Sequence, residues 1–145
     1  MMHKSTFALA AFATAGFAQA DVLSLADIKA GNGVALSAEE LQQLLPGAKV
    51  VSHVPNGSTR VWKNEPNGTL VATTDMRGKS STGSTRPHSG EGSWRIENNA
   101  YCITIQWQMN QEQWCRRIYK LDGKYYGVPG RGDDSARAFE FEFSK

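Results

Sequence analysis

The strongest constraint on this chain is a period of two near its end. Residues 136–145 read ARAFEFEFSK, with Phe139, Phe141 and Phe143 alternating against Glu140 and Glu142. Successive side chains of an extended strand point to opposite faces, so this spacing makes a ribbon apolar on one side and charged on the other. Seven further segments upstream have strand-like patterning: AKVVSHV, TRVWKNE, TLVATTD, SWRIEN, AYCITIQW, QWCRRIYKL and KYYGV. Short turns join most of them. PNGS and PNGT place proline, asparagine and glycine where a tight reversal needs a fixed first torsion and then left-handed backbone, and Asn98-Asn99 and Asp122-Gly123 do the same later. Eight strands with antiparallel neighbours bury one face best by closing into a small barrel or strongly curved sheet. The predicted class is mainly β.

Residues 21–46 are predicted to be helical. Ser37 with Glu40 three residues on is a capping-box pattern, Leu36 and Leu41 sit at staple positions, and Leu41, Leu44 and Leu45 form one apolar stripe ended by Pro46-Gly47. A shorter helix in SLADIKAG would end at Gly31. These helices are expected to pack on the sheet or plug one end of it.

The first twenty residues, MMHKSTFALAAFATAGFAQA, read as a secretory leader. Lys4 precedes an apolar run from Phe7 to Phe17, and Ala18-Gln19-Ala20 supplies small residues for cleavage before Asp21. The run is too short to span a bilayer, and no later segment is apolar enough to do so. The mature part, 21–145, is one domain's worth of chain and is expected in the periplasm or the medium. Losing Lys4 and no acid takes the formal charge from +2 to +1, which gives no general electrostatic grip on nucleic acid.

Both cysteines lie in this exported part, Cys102 and Cys115, on consecutive strands. An oxidising compartment favours a structural disulfide, worth roughly 3 kcal/mol in the chain-entropy description. Pairing them directly sets Ile103 opposite Trp114. The stretch from Arg77 to Gly92, RGKSSTGSTRPHSGEG, is long, rich in glycine and serine and mildly basic, as functional loops often are.

The strand QWCRRIYKL leaves its inward face open. If the Trp114 face is inside, Arg116 and Ile118 go with it. If the Cys115 face is inside, the interior set is Arg117, Tyr119, Leu121 and, across the turn, Tyr126 and Val128. The second set is more apolar and is preferred, although Tyr101, Ile103, Ile105 and Trp107 of the neighbouring strand share a face with Trp114. A bulge would reconcile the two. Arg117 and Tyr119 then stand side by side, a guanidinium and a phenol suited to a carboxylate.

Over these seven residues, CRRIYKL resembles the closing strand of intracellular fatty-acid-binding proteins, whose Arg-x-Tyr grips a lipid carboxylate. Gly92-x-Trp94 at a strand opening is similar to lipocalin-like barrels, where such a tryptophan closes one end. The mature chain as a whole, with LLPG, GSWRI, YC and WC on paired strands and then DGKYY, resembles small exported bacterial proteins of unknown function. That resemblance implies export and a lipocalin-like β domain, and no activity.

No P-loop, dinucleotide glycine pattern, nucleophile elbow or zinc spacing occurs, so neither cofactor nor metal is expected. His53 and His88, the two histidines past the leader, lie apart in sequence without an acid-rich cluster. Arg131-Gly132-Asp133 is the tripeptide that integrins read, on a predicted exposed turn. The expected function is non-catalytic binding of a small amphipathic or anionic ligand in the barrel mouth, gripped by Arg117, Tyr119 and Tyr126 with Trp94 and Trp62 as walls. The alternative is a protein-binding module, such as a hydrolase inhibitor, that uses the 77–92 loop or the Arg131 turn; a hydrolase ranks third.

Overall fold

Left-handed residues mark the tight turns of this chain. Asn98 and Asn99 have φ of 52° and 58°, and Asp122 and Gly123 have 51° and 76°. Two positive φ values in a row give the reversal whose twist matches that of the flanking strands. The computed structural model describes residues 22–54, 57–75 and 88–145. The expected leader and residues 77–87 of the expected long loop lie outside the described residues.

The elements run α1 (Leu25–Ala30), β1 (Val34–Ala35), α2 (Ala38–Leu44), β2 (Lys49–His53), β3 (Thr59–Lys63), β4 (Thr69–Asp75), β5 (His88–Glu97), β6 (Ala100–Gln106), β7 (Gln111–Leu121), β8 (Lys124–Pro129) and β9 (Phe139–Ser144). Strands β2 to β9 close on themselves: β7, β6, β5, β4, β3, β2, β9 and β8 are hydrogen-bonded in turn, and β8 returns to β7. Every pairing is antiparallel. The two-residue β1 adds to β7 beyond the end of β6, with Val34 opposite Lys120. The mainly β, eight-stranded barrel read from the periodicity is the fold observed.

Helix α2 plugs one end. Leu36, Leu41 and Leu45 are buried in the same core as Val50, Trp62, Tyr101, Ile103, Ile118 and Phe141. A polar knot ties the plug to the wall. The Tyr101 hydroxyl donates to Asn64 Oδ1 at 2.6 Å, Trp62 Nε1 donates to the Tyr101 oxygen at 2.9 Å, and Asn64 Nδ2 donates to the Leu45 carbonyl at 3.2 Å. Burial pushes the Tyr101 phenol well above its ordinary value. At its start α2 realises half of the expected capping box. Ser37 Oγ accepts from the Glu40 amide at 3.2 Å, but the Glu40 carboxylate meets the Ser37 hydroxyl rather than its backbone. The complete box is on α1, where Ser24 and Asp27 cap each other, and these bonds hold the Asp27 carboxyl below its usual range.

Helix α1 lies on the outside of the barrel. Leu25 and Ile28 pack with Val128 and Ala138, and Tyr119, Leu121 and Tyr126 close around them as a second small core. This placement corrects the preferred face of β7. The Trp114 face turns inward, carrying Glu112, Arg116 and Ile118, and in direct register Tyr101 pairs with Arg116 and Ile103 with Trp114. The Cys115 face turns outward, and no bulge is needed. Its apolar character is real, but it serves α1, not the barrel interior.

Cys102 and Cys115 are opposite partners in the β6–β7 register and form a disulfide on the outer face. The expected loop is also shorter than drawn at its far end, because His88–Gly92 already belongs to β5. Gly90 and Gly92 look loop-like but are packing requirements. A Cβ on Gly92 would meet the Thr104 carbonyl oxygen at 1.9 Å, and one on Gly90 the Gln106 oxygen at 2.8 Å. Glycine inside a strand marks such close backbone approach. Among the described residues no helix is long and apolar enough to cross a membrane.

Candidate functional site

Eight strands leave an interior that side chains can fill, and here they nearly do. Trp62, Tyr101, Trp114 and Phe141 meet at centroid distances of 5.7 to 6.5 Å across the middle of the barrel. The unfilled space lies at the end away from α2. There Arg60 of β3, Glu112, Trp114 and Arg116 of β7, Ser52 of β2 and Phe139 of β9 surround a recess of about 170 Å³.

The period of two on β7 puts Glu112, Trp114 and Arg116 in one row. The Glu112 carboxylate is fully engaged: it pairs with Arg60 Nη1, accepts from Trp107 Nε1 at 2.9 Å and from Trp114 Nε1 at 3.1 Å. Arg116 is held differently. Its guanidinium carbon lies 4.1 Å from the Trp114 ring centroid and 3.9 Å from that of Phe139, so two aromatic rings flank the cation. Gly127 on β8 leaves room for this, since a Cβ there would strike the Phe141 ring at 2.4 Å and the Arg116 stem at 3.2 Å.

No oxygen among the described residues accepts a hydrogen bond from Arg116, and the Nε of Arg60 is buried without a partner. Burial draws the Arg116 guanidinium down to about 10, with Glu112 opposing that shift and Arg60 adding to it. At neutral pH it is still a cation. Two guanidinium groups against one carboxylate leave the recess one positive charge in excess, with unused donors in a partly dry setting. That arrangement can receive a small anion, because a guanidinium offers a planar fork that matches a carboxylate or phosphate edge.

The expected ligand residues are distributed as follows. Trp62 is buried and lines the recess. Trp94 packs against the core at the plugged end, away from the recess, and its Nε1 donates to the Glu65 carbonyl at 2.8 Å. Arg117 is exposed on the outer wall. Tyr119 and Tyr126 are opposite neighbours beneath α1. The structure therefore does not gather Arg117, Tyr119 and Tyr126 around the recess; Arg116, one position back, takes the inward place. Arg60 and Glu112 were missed. A strand reading of TRVWK does put Arg60 on the face of buried Trp62, which was the available signal.

The other motifs are occupied locally. His53 Nε2 lies 3.0 Å from Glu142 on the outer wall. Asp133 of the Arg131–Asp133 turn accepts from the Ser135 amide at 2.9 Å and from its hydroxyl, which lowers the Asp133 pKa. Among the described residues no group of three or more His, Cys, Asp or Glu side chains could hold a metal ion. No family model, curated protein or solved structure matches the chain. The barrel assignment rests on its own strand register.

Proposed function

We propose that this chain is an exported, non-catalytic binding protein that captures a small anion in the recess at the open end of its barrel. The observation that carries this reading is Arg116: a cation sandwiched between Trp114 and Phe139, facing a cavity and bonded to no acceptor among the described residues. The disulfide is compatible with an oxidising compartment. The filled core narrows the ligand class. Among the described residues Trp62, Tyr101, Trp114 and Phe141 fill the middle of the barrel, and the recess of about 170 Å³ holds a group the size of about six waters, not a long lipid chain. The ligand portion that enters is a carboxylate or a comparably compact anion.

Trp107 and Trp114 both donate to Glu112 beside Arg116, so their indole N–H resonances are local reporters. Butyrate titrated to on the order of 10 mM is expected to shift both signals saturably, a weak but specific affinity. Arg116→Met should remove the effect. Unmoved indole signals in the native protein would end the proposal.

A further inference from the structure

Arg60 belongs to two recesses. One is the anion recess; the other, about 340 Å³, lies on the rim and is lined by Arg60, Thr74, His88, Trp107, Gln108 and Met109. Arg60 is the side chain they share, and Trp107 lines the rim recess. Its Nε1 is fixed on Glu112 inside, and its ring lies 5.7 Å from the Arg60 guanidinium. The chemistry differs between the two recesses. Inward there is excess positive charge; outward there are a flat indole, a flat guanidinium and a thioether.

Met109 is the most exposed large apolar side chain described, at 93 %. It stands at the tip of the β6–β7 turn, two residues from the nearly buried Trp107. A thioether beside an aromatic face suits a ring, since sulfur–aromatic contacts are favourable and an unbranched side chain adapts to its occupant. Arg60 is also suited to a ring, because guanidinium planes stack on aromatic faces. The rim has space for about eleven waters, enough for a six-membered ring with a substituent. His88 and Gln108 give its border hydrogen-bonding groups.

We infer that the ligand is an aromatic monocarboxylate, its carboxylate on Arg116 and its ring on the rim against Arg60, Trp107 and Met109. The inference rests on the reading of Arg116 as the anion site and extends it outward. One negative charge matches the single positive excess of Arg60, Arg116 and Glu112. A second carboxylate on the ring side would find no second free cation in this set, because Arg60 is already paired with Glu112.

The test compares three probes on the disulfide-intact protein by the indole N–H signals: butyrate, 3-phenylpropionate and 3-phenylpropan-1-ol. The expected result is 3-phenylpropionate at least about tenfold tighter than butyrate, a difference of about 1.4 kcal/mol, with the alcohol weakest. Met109→Gln, at an exposed turn position whose change spares the core, should lower the phenylpropionate-to-butyrate ratio severalfold. Equal affinity for the two acids would overturn the aromatic assignment and leave the anion site standing. An alcohol that binds as well as its acid would overturn the inference and the anion reading together, and so would the failure of both acids to bind.

Discussion

Replacing Arg116 by methionine separates a binding group from a structural one. Two opposing terms act on the charged side chain. Burial holds its guanidinium down at about 10, which corresponds to a desolvation cost of about 3 kcal/mol for the cation in the folded state. Against this stand two ring contacts, at 4.1 and 3.9 Å, worth about 1–2 kcal/mol each when desolvated. The two terms nearly cancel. Methionine keeps the length, fills the slot between Trp114 and Phe139 and removes the charge, so Arg116→Met should change stability by no more than about 1 kcal/mol in either direction. Urea unfolding followed by tryptophan fluorescence measures this, with an unchanged m-value as the check on two-state behaviour. Butyrate response should vanish in the same variant. A loss above about 2 kcal/mol would refute the reasoning, since Arg116 would then be holding the barrel together.

Three further perturbations test the fold that supports the site. Tyr101→Phe removes the hydroxyl shared by Trp62 and Asn64 and should cost about 1–2 kcal/mol by urea unfolding; Trp62 keeps a second acceptor in Asn64 at 3.2 Å. Because burial raises the Tyr101 pKa, the folded state holds that proton more tightly than the unfolded chain. Native stability should therefore be intact below about pH 10 and fall as pH rises beyond it, and the fall should be shallower in Tyr101→Phe. Gly92→Ala drives a methyl into the Thr104 carbonyl oxygen and should cost about 3 kcal/mol or more in the same assay. Replacing Cys102 and Cys115 together by alanine should lower the urea midpoint by the equivalent of about 3 kcal/mol, and reduction of the native protein should approach the same value.

What could be read from the sequence depended on whether one face or two were buried. The strand β9 has a single apolar face, and its alternation gave strand and orientation at once: Phe141 is inside and Glu142 outside. The β7–β8 hairpin is covered on both sides, by the barrel core and by α1, so both of its faces are apolar and periodicity alone could not rank them. The register argument through Ile103 and Trp114 held the correct answer, because Tyr101, Ile103, Ile105 and Trp107 have a single inward solution. Arg117 points outward because its neighbours Tyr119, Leu121 and Tyr126, more apolar than those of Arg116, are the ones that α1 covers. Gly90 and Gly92 read as loop because glycine is usually a sign of turns, while here backbone crowding excludes any side chain. Arg60 and Glu112 come from strands far apart in sequence, and only barrel closure makes them a pair.

Strand β7 is paired on one edge by β6 along Gln111–Arg116 and then by β1 at Tyr119 and Lys120, and on the other edge by β8 along Arg116–Leu121. Ile118, in its second half, is fully buried, and its carbonyl also accepts from the Leu36 amide at 2.8 Å. Backbone protons around Ile118 are enclosed from both edges, so their deuterium uptake should proceed only when the whole domain opens, while amides of Gln111–Trp114 that point away from β6 should exchange earlier. The same strand carries Glu112, Trp114 and Arg116, so the anion recess sits where the doubly enclosed half gives way to an edge, with Arg116 held between β6 and β8 and Glu112 and Trp114 paired with β6 alone.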